Sequence, residues 1–164
     1  MQIAVFGDIH GQILRAFQLA ARWQQETGQE LDLLLQVGDL GIFPDVSHLD
    51  RSTRRHSTFS PGGLGFLQHF TTYDPVVATV LNETRCPLIF VRGNHEDHHW
   101  LDTQEQQAAT PIFPVDIYQR LYCLKSGFPY TFAHGDEMIT LLTSVMDNRE
   151  GRTPLGESST LSRN

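Results

Sequence analysis

Three short stretches carry the residues able to do chemistry. They are Gly7-Asp8-Ile9-His10-Gly11, Gly38-Asp39 and Gly93-Asn94-His95-Glu96. Each sets a glycine before a metal-competent donor. Asp8 and His10 are two apart, so in an extended segment they point the same way. A carboxylate with an imidazole suits manganese, iron, zinc or nickel better than magnesium alone. Asp39 has two oxygens with which to bridge a pair of ions. Asn94 adds a neutral oxygen to the second. The expected metal ligands are therefore Asp8, His10, Asp39 and Asn94, and the expected cofactor is two divalent metal ions.

Charge arithmetic points to the substrate. Two divalent cations would face only the carboxylates of Asp8 and Asp39. The site would stay positive inside a chain of net charge −7, which favours an anion such as phosphate. Two ions about 3.5–4 Å apart clamp an in-line displacement. Lowering the pKa of bound water from about 15.7 to about 7, roughly 12 kcal/mol, supplies a hydroxide nucleophile without a side-chain base. His95 follows a metal ligand directly, and adjacent side chains diverge. It is placed to reach across the site and protonate a leaving oxygen, a role worth about 10²–10⁴ in rate.

The elements around these stretches explain how they meet. Ile3 to Phe6, Leu31 to Val37 and Leu88 to Val91 are apolar runs that read as buried strands, each ending at a glycine. Gln12 to Gln25 has helical apolar spacing, and Val76 to Thr84 and Leu64 to Phe70 read as further helices. Strands alternating with helices predict βαβ units and a parallel sheet. The loops beyond the C-terminal strand ends of such a sheet share one crevice, where ligands bind.

The rest of the chain is less regular. Residues 42 to 61 read as an insertion with a basic patch of Arg51, Arg54 and Arg55, and His48, His56 and His69 read as exposed. His98, His99 and Trp100 read as a short helix or loop covering the site, and Glu96 and Asp97 as caps and surface charges. Gln104 to Ala109 reads as a polar connection. Leu121 to Leu124, Tyr130 to Ala133 and Met138 to Val145 read as antiparallel strands with turns at SGFP and HGDE. Residues 1–146 are expected to form one domain and 147–164 a polar, disordered tail.

With 40% hydrophobic and 19% charged residues, the 164-residue chain reads as globular. Its acidity gives no general pull on nucleic acid or anionic membranes. MQIAVFGD lacks the basic flank of a signal peptide, and no apolar run reaches the roughly 20 residues of a membrane helix. Cys86 and Cys123 form no CxxC pair and read as reduced. A cytoplasmic protein is expected.

The three blocks resemble the calcineurin-like metallophosphoesterase superfamily, whose pattern is GDxHG, GD and GNH[DE], each after a strand. DLLLQVGDLGIFPDVSHL and PLIFVRGNHED are most similar to its branch of RNA lariat-debranching enzymes. The resemblance implies an α/β fold, a mixed β-sheet sandwich flanked by helices. By motif it also implies metal at Asp8, His10, Asp39 and Asn94, and His95 acting on the leaving group. The substrate implied is a phosphate ester, in this branch a phosphodiester, with nucleic acid or a nucleotide among the candidates. Members usually add further histidines, often in a GHxH block, and this sequence has no Gly-His dipeptide. His134 in FAHGDE reads either as a further ligand or as a hairpin-turn residue. The second half of the sandwich is expected to be incomplete. The alternatives are a non-catalytic or single-metal scaffold of the same fold, or an inactive fragment.

Overall fold

Leu33 and Leu34 are neighbours in sequence and both fully buried, on opposite faces of one strand. That is the mark of a sheet covered on both sides. The computed structural model describes residues 1–49, 54 and 61–143. Its main sheet has five strands, β1 (Ile3–Phe6), β2 (Leu33–Gln36), β3 (Leu88–Phe90), β4 (Ile112–Pro114) and β5 (Leu121–Leu124), in the order β1-β2-β3-β5-β4. Ile3 pairs with Leu33, Leu34 with Leu88, and Leu88 with Leu121, all in parallel. Only β4 runs antiparallel, against β5.

Helices cover one face. α1 (Ile13–Thr27) buries Ile13, Phe17 and Ala20, and ends at Gly28 in the left-handed conformation. After 3₁₀ turns at Val46–His48 and Pro61–Leu64 come α2 (Gly65–His69) and α3 (Pro75–Thr84). Asp74 caps α3 by accepting the Val76 N–H, and Pro75 sits where its missing N–H costs nothing. Phe17, Phe66, Phe70, Leu81, Leu34, Leu88 and Phe90 form the main core, each such side chain contributing about 1.5–3 kcal/mol by burial.

The other face is covered by a hairpin, β6 (Tyr130–His134) and β7 (Glu137–Leu141). Tyr130, Phe132 and Leu141 pack on Leu33, Ile89 and Leu124. Val5 and Val37 stay 62% and 60% exposed. No described helix is long and apolar enough to cross a membrane.

Two expectations are corrected. Leu121 to Leu124 is a parallel strand of the main sheet, not part of an antiparallel run. The polar stretch before it is mostly helix, α4 (His98–Gln107). After this helix β4 carries the chain back across the sheet as its antiparallel edge, and β5 then runs parallel between β4 and β3. Only Leu101 of α4 is fully buried, so its apolar period is too weak to read.

The cysteines are free and buried. The expected tail, the end of the Met138 to Val145 run, and Arg51, Arg55 and His56 lie outside the described residues.

Candidate metal centre

The first strand-end turn is laced to the second. The N–H of Asp8 donates to the Gly38 carbonyl at 3.3 Å, that of His10 to Asp39 at 3.0 Å, and that of Gly11 to Leu40 at 2.7 Å. Asp8, His10 and Asp39 all have positive φ, 49°, 43° and 58°. Outside glycine this left-handed region costs about 1–2 kcal/mol per residue, and it clusters at functional sites.

The third turn is held by Asp39 itself. Its Oδ1 accepts the Asn94 N–H at 2.7 Å and the His95 N–H at 3.0 Å. This contact needs glycine at position 93. A Cβ there would lie 2.0 Å from Asp39 Oδ1 and 2.1 Å from its backbone nitrogen.

Three donors, one from each turn, then converge. His10, Asp39 and His95 offer ligand atoms that all lie within 4.8 Å of one another. The two imidazole rings meet edge to face, 4.9 Å between centroids. One carboxylate with two imidazoles is a donor set that suits a borderline divalent ion, so these residues fit a metal. Asp8 falls outside this group of three. It is exposed and lines a cleft against α1. Asn94 is exposed beside the group, its backbone tied to Asp39.

A buried polar frame holds the turns. Glu96 is 5% exposed and accepts the N–H groups of Leu40, Gly41 and Ile42 at 2.9, 3.1 and 2.7 Å. Burial pushes its carboxyl up to about 7, against the pull of these N–H groups and that of Gly93. Asp97 is also buried. It caps α4 through the Trp100 N–H at 3.0 Å and meets His48 Nδ1 at 2.7 Å. The reading of Glu96 and Asp97 as surface charges is thus corrected, although Asp97 does cap. His48 is partnered rather than merely exposed. Arg92 ties the third turn to α4 through Asp102 and Glu105, both at 2.5 Å.

Sequence reasoning passed over Gln36. It is 1% exposed, and its side chain pairs with the backbone of Gly38: Oε1 accepts the N–H at 3.1 Å and Nε2 donates to the carbonyl. An amide within the apolar run LLLQV was the available signal.

His134 is a hairpin residue, facing Glu137 across the turn. Its Nδ1 lies 3.2 Å from Asp32 Oδ1, at the N-terminal end of β2 and so at the opposite end of the sheet from the metal centre. Trp100 packs on Phe66, 5.9 Å between rings. Arg54 donates to the Ser47 carbonyl.

A parallel sheet with oxygen and imidazole donors gathered at its C-terminal strand ends defines an α/β metal-binding protein. The chain belongs to the calcineurin-like phosphoesterase family, whose model matches residues 1–157. That places it among metal-dependent phosphoester hydrolases in general. Among the curated proteins, no sequence matches this chain.

Proposed function

We propose that this protein hydrolyses phosphodiesters at a dinuclear metal centre. The observation that carries the reading is the convergence of His10, Asp39 and His95 from three separate turns. Divalent ions in such a centre supply Lewis acidity toward a phosphoryl oxygen and acidify a water nucleophile. His10 and Asp39 would hold them, joined by Asp8 and Asn94. Manganese, iron, zinc and nickel match these donors.

His95 acts on the leaving group. Its backbone N–H is fixed by Asp39 and its ring abuts that of His10. From there the imidazolium donates its proton to the departing alkoxide oxygen as the phosphorus–oxygen bond breaks. The likeness to lariat-debranching enzymes supports a diester over a monoester.

The test is to load the chain with Mn²⁺ and measure bound metal alongside hydrolysis of the dinucleotide thymidylyl-(3′→5′)-thymidine, whose alkoxide leaving group needs a proton. Two ions per chain are expected, with His95→Ala losing about 10²–10⁴ in rate while retaining metal. Loss of metal in His95→Ala would make His95 a ligand instead. One observation favours a second reading, a single-ion site: Asp8 stands outside the group of three donors. One ion per chain without turnover would establish it.

A further inference from the structure

A cleft of about 230 Å³ opens beside the metal centre, lined by Phe6, Asp8, Ile9, Gln12, Arg15, Ala16 and Leu19. Gln12, Arg15, Ala16 and Leu19 follow one another at helical spacing, so one stripe running from the N-cap into α1 forms its wall. Phe6 from the end of β1 and Ile9 from the first turn add an apolar base. Arg15 is exposed and has no hydrogen-bond or ion-pair partner among the described residues. Arg15 is the one cationic residue among those lining the cleft, and Asp8 the one anionic residue.

We infer that this cleft receives the non-reacting part of the substrate, and that Arg15 selects phosphodiesters carrying a second phosphate. The inference rests on the phosphoesterase reading. Asp8 belongs both to the cleft and to the expected ligand set, so a diester held at the metal centre has one substituent directed along α1. A ring lies against Phe6, Ile9 and Leu19. Its distal phosphate reaches Arg15, whose planar fork matches phosphate oxygens in pairs.

The test uses the full chain with Mn²⁺ and two esters, p-nitrophenyl thymidine 5′-phosphate and its 3′-phosphorylated derivative. The second is expected to have a kcat/KM higher by about tenfold, in line with a charge-assisted hydrogen bond. In Arg15→Gln the ratio of the two falls to about one, and Arg15→Lys recovers part of it, since it keeps the charge but not the fork. A parent without preference, or a preference surviving in Arg15→Gln, would overturn the inference. Turnover of neither ester would retire the phosphoesterase reading instead. Calorimetry on the metal-free chain then decides the cleft separately. Thymidine 3′,5′-bisphosphate binding that weakens about tenfold in Arg15→Gln supports it, and equal or absent binding overturns it.

Discussion

The carboxylate of Asp39 has two tasks, and one of them is structural. By accepting the N–H groups of Asn94 and His95, it sets the position of the very residues expected to work beside it. Removing it would therefore disturb the third turn as well as a ligand. Gly93→Ala tests the structural task by itself, since it removes no donor side chain. The added methyl would meet Asp39 at 2.0 Å, so the turn must open. The expected result is a loss of about 1–3 kcal/mol in stability by urea unfolding, typical of an overpacked site, together with weakened Mn²⁺ binding by calorimetry. Unchanged metal affinity would show that the close approach at Gly93 is irrelevant to the centre.

At the scale of elements, two contacts set the geometry. Gly65 opens α2 against the first turn, where a Cβ would lie 1.9 Å from the Gly11 carbonyl oxygen. Gly65→Ala should displace that turn and lower Mn²⁺ affinity, while α2, with Phe66 and Phe70 still in the core, remains formed by circular dichroism. The second contact is the start of β5. Asp116 accepts the N–H groups of Arg120 and Leu121 with one oxygen and of Tyr118 with the other. Burial raises its pKa above the ordinary 3.8 despite these donors. A carboxyl raised in the native state contributes stability that is full below its unfolded pKa and lost as pH rises through the native one. Relative to Asp116→Asn, the parent should therefore lose stability as pH rises above the ordinary carboxylate range, in urea titrations. A constant difference would remove the basis for this assignment.

These elements also show what was legible beforehand. β1 matched residue for residue, and α1 and β2 were read with ends a residue or two different, because their apolar residues repeat at clear periods. The three turns could be read because each joins a glycine to a donor. α4 could not, since HHWLDTQEQQ has one fully buried side chain. Its anchors are polar, through Asp97 and Arg92, and such pairings have no period. The burial of Glu96 was hidden for a similar reason: its partners are backbone N–H groups some 55 residues away, which no local pattern announces.

For the molecule as a whole, the two faces of the main sheet are unequally covered. Helices seal one. On the other, the hairpin packs over Leu33, Ile89 and Leu124 but leaves Val5 and Val37 in water. Among the described residues β1 also pairs on one side only, with β2, so its outer edge is open to another strand. The chain is expected to self-associate as its concentration rises, and Val5→Lys should reduce this in light scattering. A parent that stays monodisperse throughout would argue that the edge is already protected. The hairpin is fastened by Met1, whose ammonium pairs with Glu137, and by His134 with Asp32, so its polar ties lie far from the metal centre.

The left-handed backbone at Asp8, His10 and Asp39 sets folding against usefulness. Glycine adopts such dihedrals without the steric cost that a side chain carries there, at a smaller cost in backbone entropy. His10→Gly should thus melt higher than its parent, by about 0.5–1 kcal/mol at the midpoint, while giving up an imidazole. An unchanged or lower midpoint would show that the left-handed backbone at His10 stores no strain.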